Sequence, residues 1–264
     1  MIGAIIGDIV GSRFEFNNTD NKDFQLFADD CQFTDDTICT VAIGYALVNG
    51  MTYGESLRSW CGLFPNPMGG YGARFSQWVW SDDPKPYNSF GNGAAMRVSP
   101  VAWWFDSLNE VLEEAEKTAL PTHNHPEGIK GAKAVAHAIY ALRTGPEVGG
   151  LYREVLHNVC ALYYPDGMSK KFPRGVFDET CMGTVPLAFQ IVDGSYSFED
   201  AIRNAVAWGG DSDTLAAIVG SIAEAIWPVP EVISNIAFAY LPGLMDQNVG
   251  EFYKALTEKR ENNG

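Results

Sequence analysis

The stretch DDTICTVAIGYALV, residues 35–48, carries the clearest indication of fold class in this 264-residue sequence. Its apolar side chains recur at helical spacing, and Asn49-Gly50, a pair typical of helix C-caps, follows it. The same periodicity predicts helices over 52–63, 106–118, 126–143, 179–192, 198–208, 213–226, 230–240 and 246–259. No sustained two-residue alternation, the pattern of a strand, is present. The sequence therefore predicts an all-α fold in one domain, residues 1–264.

Two regions depart from the regular helical pattern. Gly183 and Pro186 fall within 179–192 and should bend or interrupt that helix. Residues 64–105 form the least helical stretch and contain several prolines and many glycines. Because a long irregular segment inside a compact domain usually carries function, we expect residues 64–105 to contribute to a site.

The composition is that of a folded, acidic protein. Hydrophobic residues make up 46% of the chain, which excludes general disorder, and 18 Lys and Arg face 33 Asp and Glu for a net charge of −15. Such a surface repels phosphate backbones, so we expect no nucleic-acid partner, whereas an acidic site would attract divalent cations.

Cysteine usage and apolar runs bear on the cellular compartment. The five cysteines form no C-x-x-C pair, which favours reduced thiols and a cytoplasmic location. The start MIGAIIGDIV contains Asp8 and lacks a basic region, so it predicts a buried segment and not a signal peptide. No uncharged apolar run reaches 18 residues, so we expect no membrane span. No heptad pattern demands a dimer, and a monomer is the default expectation.

Two acidic clusters, TDDT at residues 34–37 and DSDT at residues 211–214, each directly precede an apolar helix. Helix capping explains one carboxylate or hydroxyl at each start, but consecutive helical residues point about 100° apart and cannot all cap. If the two helix starts face each other, four carboxylates and two hydroxyls converge and require cations to neutralise them. Oxygen ligands without His or Cys favour Mg²⁺, Mn²⁺ or Ca²⁺.

The segment GDIVGSRFEF, residues 7–16, adds Asp8 and Glu15 to these acids, and Gly7 and Gly11 allow close backbone approach. From spacing alone, Glu15 could be a ligand, a general base or a surface residue. SFGNGAAMR, residues 89–97, places a glycine-rich turn before a short predicted helix, where backbone N–H groups can bind phosphate. The sequence contains no P-loop and no G-x-S-x-G motif.

Four blocks together resemble the ADP-ribosylglycohydrolase family. They are GDIVGSRFE (7–15), FTDDT (33–37), SFGNGAAMR (89–97) and WGGDSDT (208–214), which occur in the family's order. The resemblance runs from the first residues to about residue 226. It implies a compact all-α domain with a central cleft that holds two metal ions.

The resemblance also implies roles for individual residues. The two ions would be Mg²⁺ or Mn²⁺, and Asp213 would bridge them. The implied metal ligands are Thr34, Asp35, Asp36, Asp211, Asp213 and Thr214. As general base we place Asp35 first and Glu15 second, with Asp36 as a further candidate.

The implied substrate-binding residues come from three segments. They are Ser89, Phe90, Gly91, Asn92, Gly93, His123, Gly70, Tyr71 and Gly72. Phe90 is expected to stack on adenine, and the glycine turn to hold the diphosphate. The residue before the Gly70 turn is often basic in the family, but Gly69 stands here. His125 is expected in a turn or at the surface.

The resulting hypothesis is a metal-dependent hydrolase that removes ADP-ribose from an acceptor through an oxocarbenium-like transition state. ADP-ribosyl-arginine on protein is the first choice of substrate, and serine, acetyl and nucleic-acid conjugates stay open, as does Mg²⁺ against Mn²⁺. The alternatives are a non-catalytic ADP-ribose-binding module, a metal-dependent phosphoesterase acting on a nucleotide diphosphate, and a purely structural role for both acidic clusters.

Overall fold

Helices dominate the computed structural model, which describes residues 1–145 and 151–263. They are α1 (Ile2–Gly11), α2 (Asp35–Asn49), α3 (Tyr53–Leu63), α4 (Ala73–Val79), α5 (Gly93–Met96), α6 (Ser99–Trp104), α7 (Leu108–Ala119), α8 (Pro126–Thr144), α9 (Leu151–Tyr163), α10 (Cys181–Asp193), α11 (Phe198–Trp208), α12 (Ser212–Ala223), α13 (Glu231–Phe238) and α14 (Gly243–Asn263). Within those ranges the β pairing is one isolated bridge between Gly91 and Thr180. The all-α prediction is confirmed.

The start of the chain forms the centre of the core. All ten residues of α1 are buried, as the sequence predicted for this segment. A stripe of glycines every fourth residue lets α1 cross α12 at backbone contact distance. A Cβ on Gly7 would lie 2.0 Å from the carbonyl oxygen of Ala216, and one on Gly3 would lie 2.2 Å from that of Gly220. No larger residue fits at these two positions without separating the helices.

Side-chain caps explain where several helices begin. The hydroxyls of Thr34, Thr52, Ser107, Thr180 and Ser197 each accept a hydrogen bond from a backbone N–H in the first turn of the helix that follows. These bonds satisfy N–H groups that have no partner inside the helix. At the other end of α2, Gly50 adopts the left-handed conformation (φ 65°), as its sequence predicted.

The predicted interruption of the helix over 179–192 is wrong. Helix α10 is continuous from Cys181 to Asp193 with Pro186 inside it. Pro186 lies early in the helix and gives up one backbone hydrogen bond, while the buried side chains around it hold the helix in the core. Residues 64–105 are also more helical than expected, since they contain α4, α5 and α6.

The helices pack around one hydrophobic core, to which segments from Met1 to Leu256 contribute. All five cysteines are buried and free. None of the described helices combines the length and the apolar character that crossing a membrane requires.

Candidate active site

Asp8 organises the start of α2. Its carboxylate accepts hydrogen bonds from the backbone N–H groups of Thr34 (2.9 Å) and Thr37 (3.1 Å) and from both threonine hydroxyls. The glycines of α1 place Asp8 here, fully buried, directly beneath the first acidic cluster. These four bonds satisfy the Asp8 oxygens and fix the direction of the side chains that follow Thr34.

A glycine turn and an asparagine position the start of α12. Gly209 and Gly210 both have positive φ (80° and 87°), a conformation that other residues rarely adopt. Asn18 binds this turn from the other side: its Nδ2 donates to the carbonyl of Gly210 (2.9 Å) and its Oδ1 accepts from the Gly210 N–H (2.8 Å). Next along the chain, Asp211 accepts a 2.7 Å hydrogen bond from Asn92 Nδ2.

Three buried carboxylates meet where α1, α2 and α12 converge. Asp8, Asp36 and Asp213 each offer one oxygen, and these oxygens lie within 4.8 Å of one another. Thr214 donates to Asp36 Oδ2 at 3.1 Å, but Asp36 Oδ1 and Asp213 Oδ1 are buried without a hydrogen-bond partner. Two unpartnered oxygens within a cluster of three buried carboxylates fit a hard divalent cation.

The pKa values of the acidic residues are also those expected of a cation-binding site. Burial and neighbouring carboxylates raise the pKa of Asp35, Asp36 and Asp213. Burial raises the pKa of Asp8 to about 6, although its threonine hydrogen bonds oppose the shift. Burial also raises the pKa of Glu15 to about 7, with Asp211, Asp8 and Glu179 adding to it. A bound cation would reverse these shifts by neutralising the carboxylates.

Asp36 and Asp213 of this cluster line a cleft of about 440 Å³. Five of the six predicted metal ligands line it, namely Asp35, Asp36, Asp211, Asp213 and Thr214. Thr34 is buried behind them, where its hydroxyl donates to Asp8 Oδ1 at 2.7 Å. Glu15 also lines the cleft, and its Oε2 would lie 2.6 Å from a Cβ on Gly69, so the absence of a side chain there makes room for it.

Most predicted substrate-binding residues line the same cleft. They are Ser89, Gly91, Asn92, Gly93, His123, Gly70, Tyr71 and Gly72. Phe90 is not among the residues lining the cleft; it is 44% exposed, and its ring contacts His125 edge-on at 5.4 Å between centroids. His125 forms the N-cap of α8, accepting from the Glu127 N–H, which agrees with the turn predicted for it.

Two arginines, Arg97 and Arg74, lie close enough to His123 to act on its charge. Arg97 donates to the Thr122 hydroxyl (2.9 Å), which lies 2.7 Å from His123 Nδ1. The Thr122 hydroxyl therefore links the Arg97 guanidinium to the imidazole of His123. Burial, Arg97 and Arg74 hold the pKa of His123 well below its ordinary value.

Sequence reasoning missed several residues of the cleft. Phe16, Arg74, Tyr87, Phe177 and Glu179 all line it. Arg74 stacks on Tyr87 with its guanidinium carbon 4.8 Å from the ring centroid. Phe16 and Phe177 stack on each other, with centroids 6.0 Å apart and ring planes inclined by 14°. Residues 16 and 177 lie too far apart in sequence for any local pattern to indicate this pairing.

Comparison with known proteins identifies the family. The family model described as ADP-ribosylglycohydrolase matches residues 1–234. The chain belongs to the ADP-ribosylglycohydrolase family. This is a family of hydrolases, so the predicted family and enzyme class are confirmed.

Individual relatives are more distant. An uncharacterised protein of Archaeoglobus fulgidus is 32% identical over 63% of this chain and 56% of its own length, so the match spans just over half of that relative. An ADP-ribosylarginine hydrolase of Pseudomonas putida is 24% identical over 90% of this chain and 73% of its own. A solved structure, an ADP-ribosylglycohydrolase-related protein complex, superposes with a TM-score of 0.71 at 20% identity and 96% coverage of both chains, which shows the shared fold.

Proposed function

We propose that this protein hydrolyses the glycosidic bond that joins ADP-ribose to an arginine side chain of a protein. The observation that carries the proposal is that one cleft is lined by both acidic and basic side chains. Asp211 and Glu179 act on Glu15, whereas Arg97 and Arg74 act on His123. An ADP-ribosyl-arginine conjugate carries both complementary charges, since its diphosphate is anionic and its guanidinium is cationic.

The acidic side chains of the cleft would hold two divalent cations, Mg²⁺ or Mn²⁺. We assign Asp35, Asp36, Asp211, Asp213 and Thr214 as their ligands. The support is the pair of buried, unpartnered oxygens on Asp36 and Asp213. When bound, such ions would supply Lewis acidity and neutralise the carboxylates. Thr34 and Asp8 would act indirectly, because their hydrogen bonds to each other fix the start of α2.

The remaining chemistry falls to side chains of the cleft. Asp35 is half-buried and lines the cleft, and we propose that it accepts a proton from the attacking water. Glu15, also half-buried in the cleft, is the second candidate base. Water adds to the anomeric carbon, the carbon–nitrogen bond breaks, and the guanidine nitrogen takes up a proton. The products are ADP-ribose and arginine.

A product assay tests the proposal. The protein is incubated with ADP-ribosylarginine and Mg²⁺ or Mn²⁺, with a chelator control, and products are identified by mass. We expect free ADP-ribose that disappears with the chelator. The variant Asp213→Asn should lose most of the activity, whereas Asp82→Asn, an exposed acid away from the cleft, should retain it.

Other products would overturn the proposal. AMP together with ribose phosphate would indicate diphosphate cleavage and a phosphoesterase. Binding of ADP-ribose without cleavage of arginine, serine or acetyl conjugates would indicate a binding module. Near-native turnover of Asp213→Asn would exclude its role as a metal ligand.

A further inference from the structure

We propose that Phe16 and Phe177, here called the rim pair, form the subsite that binds the acceptor group attached to ADP-ribose and select a guanidinium there. This inference rests on the proposed function and assigns acceptor specificity to residues outside the acidic clusters. Phe16 is 75% exposed and Phe177 is 44% exposed, yet both line the cleft. Large aromatic side chains left open to solvent at the mouth of a charged cleft are typical of ligand contacts.

The rim pair is fixed next to the proposed ligand Asp211. A Cβ on Gly210 would lie 2.3 Å from the carbonyl oxygen of Val176, and the Gly175 N–H donates to the carbonyl of Trp208 at 2.9 Å. The segment that carries Phe177 therefore packs directly on the turn that leads to Asp211. From the other side, Asn18 joins the segment after Phe16 to the same turn through Gly210. Two segments anchored on the turn that leads to Asp211 thus present their aromatic rings to the cleft.

The surroundings of the rim pair favour a planar cation. Glu15 precedes Phe16 and Glu179 follows Phe177 by two positions, and both glutamates line the cleft. A guanidinium can stack on an aromatic face while its N–H groups donate to a carboxylate, and neither a serine hydroxyl nor an acetyl ester carries such a charge.

Kinetics with paired substrates test the rim pair. For Phe177→Leu, which keeps an apolar side chain but removes the ring, we expect kcat/KM for ADP-ribosylarginine to fall about threefold to thirtyfold. The value for O-acetyl-ADP-ribose or ADP-ribosylserine, and inhibition by free ADP-ribose, should change less than twofold. Phe16→Leu should behave in the same way. Tyr196→Leu, an exposed aromatic outside the cleft, is the matched control and should leave all values unchanged.

A binding measurement separates this inference from the proposed function. Agmatine carries the guanidinium of arginine but lacks its carboxylate. It is the better probe because Glu15 and Glu179 would repel that carboxylate. We expect agmatine to inhibit the wild-type enzyme, and Phe177→Leu to raise its inhibition constant. Equal losses on all substrates, or unchanged agmatine inhibition, would overturn the inference while leaving hydrolysis intact. If the wild-type protein cleaves none of the conjugates, the proposed function itself fails.

Discussion

At the scale of single residues, the active site keeps buried carboxylates that lower the stability of the folded protein. Asp36 and Asp213 each keep a buried oxygen without a partner, and Asp8 lies within 4.8 Å of both. A protein without a functional reason would replace one of these acids, because clustered buried carboxylates raise one another's pKa and destabilise the folded state.

Asp213→Asn should therefore stabilise the metal-free protein. Removing one buried charge is expected to raise the free energy of unfolding, because burial and the neighbouring carboxylates raise the pKa of Asp213 in the folded state. The same variant should lose the thermal shift that Mg²⁺ or Mn²⁺ produces in the wild type. Thermal melts with chelator and with metal, run beside Asp82→Asn, measure both effects. A variant less stable without metal, yet still shifted by it, would contradict this reading.

His123 should make stability fall in mild acid. Its pKa in the folded state lies well below its ordinary value, so below about pH 6.5 the unfolded chain binds a proton there that the folded chain does not. The free energy of unfolding then decreases by about 1.4 kcal/mol per pH unit from this group.

His123→Gln isolates that contribution. The difference in unfolding free energy between wild type and variant should shrink as pH falls from 6.5 to 5, since carboxylate titration is common to both proteins. Denaturant titrations at several pH values give the two curves. Parallel curves would show that His123 takes up its proton in the folded state.

At the scale of helices, the crossing of α1 and α12 sets the geometry of the site. Gly7→Ala would put a methyl group onto the Ala216 carbonyl, so we expect a loss of about 3 kcal/mol or more and weaker metal binding through displacement of Asp8. Gly62→Ala in α3 is the matched control. Because nothing lies within 4 Å of its added methyl group, helix propensity should stabilise that variant by about 1 kcal/mol. Equal stability of the two variants in chemical denaturation would contradict the close crossing.

The sequence predicted the helices better than their partners. Caps such as Thr34 and Gly50 and the apolar periodicity are local signals, and they located α2 closely. Gly7 and Gly11 indicated a close backbone contact, but nothing in the sequence named α12 as the partner. At Pro186 the local signal was misleading. The sequence predicted an interruption, but α10 continues through Pro186 because its side chains pack in the core.

The site was predictable to a similar extent. The carboxylates of both acidic clusters and the glycine turn at Gly91 line the same cleft, and each belongs to a short contiguous motif. The sequence did not predict that Arg74 and Phe177 line the cleft, or that Asn18 bonds to Gly210. These contacts depend on which loops meet in the folded chain. Phe90 illustrates the limit of a motif: it occupies the expected sequence position, but its ring packs against His125 beside the cleft.

At the scale of the whole molecule, metal should act as a stabilising ligand. A cation bound only by the folded state adds about 2.7 kcal/mol when its concentration is one hundred times Kd. For a chain of this size that corresponds to a rise in Tm of about 5–10 °C. Calorimetry with and without chelator measures it. An unchanged Tm in saturating Mg²⁺ and in saturating Mn²⁺ would contradict the proposed cation site.

The two hydrogen bonds between the Asn18 side chain and the Gly210 backbone also bear on the order in which the site folds. These two residues lie 192 positions apart, and Thr214 reaches back 178 positions to Asp36. Closing a loop of that length costs about 5 kcal/mol of chain entropy. The carboxylates of α2 and α12 come together only after this loop has closed. During synthesis the apolar helix α1 emerges long before its partner α12. Until α12 is made, α1 is exposed or covered by a chaperone. Capture of the proposed metal ions would therefore be one of the last events of folding, in a structure that hydrophobic packing has already closed.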